Sequence, residues 1–204
     1  MHRTRQETTM AIPIDRKGTK YIARTRSHLE SSVPLVVAIR DMLHLARTAR
    51  EVREMIKAKK LAINGRISRE CNESIRLFNI IQADKKYMLS LLPSGRFTFI
   101  ECKDAKRLVK IMNRSLVKGN KIQLHMHDGT TILGKKEHAV GDSLYLAEGK
   151  ISQHVPLVKG TKGLVMKGKY IGQEAKVLAR EGDEITVQVG EQKTILSQKQ
   201  VAVQ

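Results

Sequence analysis

Arg50, Arg53 and Lys57 recur at spacings of three and four within the stretch TAREVREMIKAKKLAINGRI, Thr48 to Ile67. On a helix turning about 100° per residue these positions share one stripe, so the cations stand in a row over roughly two turns. Glu54 falls in the same stripe and tempers it, while Lys59, Lys60 and Arg66 follow close behind. Such groups make and break no bonds. They neutralise an array of negative charge, and phosphate is the anion that Arg and Lys match best.

Other chemistry is poorly supported. His125 and His127 would point to the same side of a strand, but two His fall short of a structural zinc set, and Cys71 and Cys102 form no C-x-x-C pair. KGTKG and KGKYIG are rich in Gly and Lys without forming a phosphate loop of the G-x-x-x-x-G-K-[ST] type, and their glycines are better assigned to turns. Asp183 and Glu184 lie together in a turn-like stretch with no nucleophile or base in view. No catalytic residue, metal ligand or cofactor site is assigned.

The elements that must hold the cations are legible locally. Thr48 and Glu51 have the T-x-x-E spacing of a capping box, in which each side chain satisfies an amide of the first turn. Val52, Met55 and Ile56 form the opposite, packing face. Asn64-Gly65 is the favoured dipeptide of a type I′ hairpin, because both central residues need positive φ. Helix and hairpin together predict a rigid basic surface, which loses less entropy on binding than a floppy tail does.

The whole chain has 204 residues and a net charge of +18, with 41% hydrophobic and only 3% aromatic residues. It can bury real cores of Ile, Leu, Val and Met, and its charge calls for a polyanion, either nucleic acid or an anionic membrane. The imbalance is uneven: residues 1–70 hold 16 Lys and Arg against 7 Asp and Glu, whereas the last 32 hold 4 against 5. The isolated cysteines suit a reducing cytoplasm. No apolar run approaches a membrane span, and MHRTRQETTM lacks the apolar centre of a signal peptide. A soluble intracellular protein is expected.

The predicted organisation is α+β. Residues 1–31 read as an extended basic arm, with Arg16, Lys17, Lys20, Arg24 and Arg26 spaced to meet phosphates. Lacking apolar periodicity, the arm is expected to be mobile alone and ordered by its partner, unless Ile12, Ile14, Tyr21 and Ile22 dock it. Residues 32–95 form a compact α/β unit, beginning with a helix over PLVVAIRDMLHLA from Pro34 to Ala46. Its hairpin is followed by strands YMLSLL and RFTFIEC around the turn PSGR. Residues 96–158 are β-rich, with hairpins turning at Asp128-Gly129 and Glu148-Gly149, while Lys103 to Lys118 fits a short helix or a strand. Residues 159–204 contain short strands punctuated by glycines, as in a small β-barrel.

TAREVREMIKAKKLAINGRI resembles the small RNA-binding module of bacterial small-subunit ribosomal protein four, tyrosyl-tRNA synthetases and pseudouridine synthases. With IPIDRKGTKY and ESSVPLVVAIRDMLHLARTAREV before it, and DGTTILG and VGDSLYL after it, the chain resembles the archaeal and eukaryotic ribosomal protein family S-four-e. VKGTKGLVMKGKYIGQEAKVL is similar to that family's C-terminal KOW motif, with Gly172 at the motif glycine. The likeness runs from about Ile12 to Leu196. Arg26-Ser27-His28 stands where the family usually has Gly-Pro-His, and Ala175 where KOW commonly has a second Gly.

The resemblance implies an arm, an RNA-binding α/β module, a central β domain and an SH3-like KOW barrel. It implies a structural constituent of the small ribosomal subunit: a cytoplasmic monomer within that particle, bound to rRNA and neighbouring proteins, with no membrane or small-molecule substrate. Arg47, Arg50, Arg53, Lys57, Lys59, Lys60, Asn64, Gly65 and Arg66 would form the module's rRNA surface beside the five arm cations. Lys162, Lys167 and Lys169 are candidates for contact with RNA or a protein neighbour. The alternatives are an RNA-modifying enzyme targeted by the same module, and a KOW-type transcription or translation factor that binds transiently.

Overall fold

A computed structural model of the chain describes residues 2–103, 106–147 and 149–204; Met1, Asp104, Ala105 and Glu148, one half of the expected Glu148-Gly149 turn, lie outside them. The fold is mostly β with few helices. It divides into two compact units, residues 2–92 with 96–103, and residues 93–95 with 106–204.

The first unit is organised by an antiparallel sheet of five strands, in the order Arg66–Ile67, Ala62–Ile63, Ile80–Gln82, Lys86–Leu91, Phe97–Glu101. The last of these was expected to open the central region from residue 96, but it pairs from Phe97 to Leu91 and so belongs to this sheet. Its core includes Leu35, Ile39, Val52, Leu61, Ile75, Phe78, Ile81 and Leu89, each essentially inaccessible to solvent.

The helix expected over Pro34 to Ala46 is shorter. Pro34 ends the strand Ser32–Pro34, which pairs with Ser74–Arg76. One α-turn, Leu35–Val37, then widens into a π-turn over Ala38–Met42. The Leu43 amide reaches the Ala38 carbonyl, and the Leu45 amide reaches that of Ile39, at 2.9 Å each. His44, at φ 54°, takes the left-handed conformation that closes a helix end and that His tolerates better than branched residues do.

The arm is folded, contrary to the expectation of an extended segment. His2–Thr4 pairs with Tyr21–Ala23, and Ile12 and Ile22 are buried at 5% and 7% exposure. The Phe97 amide donates to Ala11 O at 2.7 Å and the Arg26 amide to Asn72 O at 3.2 Å, tying the segment to the unit. Two isolated isoleucines and a few backbone bonds supply what periodicity did not reveal. Of the docking residues considered, Ile12 and Ile22 are buried, Ile14 is half-buried and Tyr21 is exposed.

The second unit holds two antiparallel five-stranded sheets. One runs Thr131–Gly134, Lys121–Met126, Arg107–Val117, Ser143–Ala147, Lys150–Val155. The ambiguous stretch after Lys103 is thus the long strand Arg107–Val117, which pairs with Ser143–Ala147 through its first half and with Lys121–Met126 through its second. A bulge between Ile111 and Asn113 accommodates the change of partner. The other sheet runs Gln192–Ser197, Glu184–Val189, Glu174–Glu181, Lys162–Val165, Val201–Val203. Each has an apolar core, around Ile111, Leu124 and Leu144 in one and around Val165, Val177 and Val187 in the other. Lys110, fully buried, links them: its ammonium donates to Gly141 O at 3.1 Å and also to Val201 O.

Candidate nucleic-acid interface

The basic helix spans Ala49–Lys57. Thr48 Oγ1 accepts from the Glu51 amide at 3.2 Å, and the Glu51 carboxylate accepts from the Thr48 hydroxyl at 2.9 Å and from the Arg47 amide at 2.8 Å. The return bond therefore reaches one residue further back than a simple capping box. The Arg47 amide first, and then the Thr48 hydroxyl, hold the Glu51 carboxyl below the usual carboxylate range. Val52 is buried, Met55 and Ile56 are half-buried, and Arg50, Arg53 and Lys57 are exposed. Lys59, in the left-handed conformation at φ 56°, ends the helix.

The hairpin has the predicted turn, with Asn64 at φ 53° and Gly65 at φ 81°. Asn64 Oδ1 accepts from the Ile80 amide at 2.9 Å, and the Asn64 amide donates to Ile80 O at 2.8 Å. The turn is thereby locked to the adjacent strand, and Lys59, Lys60 and Arg66 are carried on ordered backbone.

All the nominated side chains are exposed, but they are not equally free. Arg26 pairs with Glu70 and Arg66 with Glu73, each at 2.7 Å, and Arg50 pairs with Glu54 at 3.3 Å. The Arg26 and Arg50 pairs are exposed on both sides and worth little, so these Arg can exchange carboxylate for phosphate cheaply. Glu73 is only 12% exposed and also accepts from the Arg69 amide at 2.6 Å, so Arg66 is held more firmly. Arg16 turns inward on the arm, donating to Thr8 O at 3.0 Å and Arg5 O at 3.3 Å and contacting Met10 Sδ. Lys17, Lys20 and Arg24 remain exposed, with the Lys20 ammonium 5.4 Å from the Tyr21 ring centroid. In the second unit, Lys162 opens the strand Lys162–Val165, while Lys167 and Lys169 occupy the loop after it.

Sequence reasoning missed Arg5, Arg40 and Arg69. With Arg53 and Lys57 they line a groove of about 590 Å³ between the arm and the basic helix. Arg5, Arg40, Lys17 and Arg47 line an adjoining cleft of about 880 Å³. Arg40 is the first charged residue after the buried run Val33 to Ile39, which signals an element's edge, but nothing local links it to Arg5. Its Nε and Nη2 donate to the Asp41 carboxylate at 2.8 Å each, which raises its pKa and holds the guanidinium in place.

The histidines weighed for a metal part company. His125 Nε2 lies 2.9 Å from Ser115 Oγ, while His127 Nδ1 accepts from the Lys110 amide at 3.1 Å. Among the described residues no cluster of metal-ligating side chains occurs, and no helix is long and apolar enough to cross a membrane.

The chain thus presents exposed cations on a capped helix, a locked hairpin and a docked arm. A sequence profile of ribosomal family S4e matches residues 83–151, which lie beyond the basic helix and hairpin. The chain is 30% identical over 185 residues to the small ribosomal subunit protein eS4 of Archaeoglobus fulgidus, covering 87% of this chain and 79% of the relative. Its likeness to eS4 of Methanocella arvoryzae is also 30%, over 86% of this chain and 79% of that one. The crystal structure of 30S ribosomal protein S4e from Thermoplasma acidophilum shares the fold, with a TM-score of 0.72 at 23% identity over 85% of this chain and 95% of that one. This chain belongs to ribosomal family S4e.

Proposed function

We propose that the protein is a structural constituent of the small ribosomal subunit, acting in the cytoplasm as part of the ribosome and binding rRNA without catalysing a reaction. The observation that carries this is the presence, in a member of the S4e family, of Arg50, Arg53, Lys57, Lys59, Lys60 and Arg66 exposed on ordered backbone. RNA duplexes offer phosphates and 2′-hydroxyls over shallow surfaces, and fixed cations on a helix and a hairpin suit backbone and shape recognition. Arg47, Asn64 and Gly65 shape that surface, and Lys17, Lys20, Arg24 and Arg26 extend it along the arm. Arg16 serves mainly to hold the arm together, given its backbone partners.

The C-terminal sheet is an SH3-like barrel of KOW type in this reading. Support comes from its strand order and from the loop at Gly172, which has φ 79° and donates to Val165 O at 2.8 Å. Lys162, Lys167 and Lys169 there contact rRNA or a neighbouring ribosomal protein, and the chain is a monomer within the subunit. Quantifying the protein in salt-washed small subunits tests the assignment. About one copy per subunit is expected, whereas loss in the wash would point to a transient factor or a modifying enzyme.

A further inference from the structure

The groove between arm and helix is a different kind of surface from the cationic stripe beside it. Its charge comes from separate segments, Arg5 on the arm, Arg40, Arg53 and Lys57 beside and on the helix and Arg69 after the hairpin. Against these stands one carboxylate, Glu70, which pairs with Arg26. Half-buried Ile56 and the nearly buried Ile22 and Val36 give the groove an apolar wall. Tyr21, half exposed, stands among the lining residues. Its ring meets that of His2 edge-on at 4.6 Å between centroids.

We infer that this groove takes one unpaired nucleotide extruded from the RNA, its phosphate among the cations and its base against the apolar wall beside Tyr21. The inference rests on the rRNA-binding reading and adds what part of the RNA the arm selects. The groove is open to solvent on one side, and its volume of about 590 Å³ is in the range of sites that take a small ligand. A duplex hides its base faces and gains nothing from an apolar wall. An unstacked nucleotide presents a phosphate and a π-face together, and aromatic and apolar side chains beside cations receive both.

Arg5 is built into this site rather than left to find it. Its Nε donates to Thr19 O at 2.8 Å, its Nη2 to Thr19 Oγ1 at 3.0 Å and its Nη1 to Asp15 O at 2.5 Å, leaving its remaining N–H donors for a ligand. Gly18, at φ 130°, permits the approach, because a Cβ there would stand 3.3 Å from Arg5 Nη2. Arg53 and Cys71 both line the groove, and burial raises the Cys71 thiol's pKa while the Arg53 guanidinium offsets part of that. Lys57 and Arg69 have no ion-pair partner among the described residues.

The test compares binding of the full chain to a short RNA stem carrying one bulged uridine with binding to the same stem fully paired. The bulged stem should bind about tenfold tighter, the scale of one base stacked on a side chain. Tyr21→Ala should erase that preference without weakening the paired stem, and Tyr21→Phe should retain it. Arg50→Gln should weaken both stems alike. Equal affinity of the unaltered chain for the two stems overturns the nucleotide site but leaves the rRNA reading standing. Failure to bind either stem overturns both. Because the first comparison needs no variant, it decides the matter even if Tyr21→Ala misfolds.

Discussion

Asn64 and Ile80 exchange two hydrogen bonds, side chain from amide at 2.9 Å and amide to carbonyl at 2.8 Å, so the hairpin turn is pinned to the sheet from which the basic surface projects. Asn64→Ala removes the side-chain bond and forces a residue with a poor left-handed preference to φ near 53°. It should cost about 2 kcal/mol by chemical denaturation. Asn64→Gly keeps the backbone geometry and loses only the bond, so its cost should be about 1 kcal/mol. Equal costs for the two variants would show that the turn conformation is not under strain in the Ala variant.

On the basic helix, charge and fold separate. Arg50→Gln, Arg53→Gln and Lys57→Gln together should weaken rRNA binding and leave the melting temperature little changed, because all three side chains are exposed. Thr48→Ala should lower stability by about 1 kcal/mol through loss of the cap. Unfolding of the triple variant would show that the stripe is structural.

The docked arm makes a prediction for amide exchange in the free protein. The amides of Arg5, Arg26 and Phe97, bonded to Lys20 O, Asn72 O and Ala11 O, should exchange slowly without RNA. Rapid exchange at all three would restore the picture of an arm ordered only by its partner.

What could be read in advance follows from the range of the interactions. Thr48, Glu51, Asn64 and Gly65 obey local rules, so the capped helix and the I′ turn are visible in a few residues. The early end of the helix at Met42 depends on a π-turn and on left-handed His44, and no local pattern announces a non-glycine residue in that role. Ile12 and Ile22 are single apolar residues in polar surroundings, so their burial becomes apparent only with the surface they meet. For the same reason the groove went unseen: Arg5, Arg40 and Arg69 are far apart in the chain and converge through the arm's docking. Lys110 lies in the stretch that fits a short helix or a strand, and nothing local marks it as the fully buried lysine that it is.

Burial, relieved in part by Asp142 and reinforced by Arg180, pulls the Lys110 pKa from 10.5 down to about 8. The unfolded chain therefore binds more protons at this site between those values, so its contribution to stability rises with pH across that window. The charged form costs the fold on the order of 3 kcal/mol below it. The second unit should gain stability from pH 8 to pH 10.5 relative to a Lys110→Met variant, as followed by denaturant unfolding. Parallel pH profiles for the two proteins would mean that the ammonium is not desolvated as its bonds to Gly141 and Val201 imply.

If the first unit binds rRNA by neutralising phosphates with fixed cations, that binding must weaken steeply as salt is added. For about six phosphate contacts, log affinity should fall linearly with log salt, losing on the order of a thousandfold between about 50 and 200 mM. The Arg50, Arg53 and Lys57 triple Gln variant should show a correspondingly shallower slope. A nearly flat titration of the unaltered protein, or an unchanged slope in the variant, would show that these cations do not bind by neutralising phosphates.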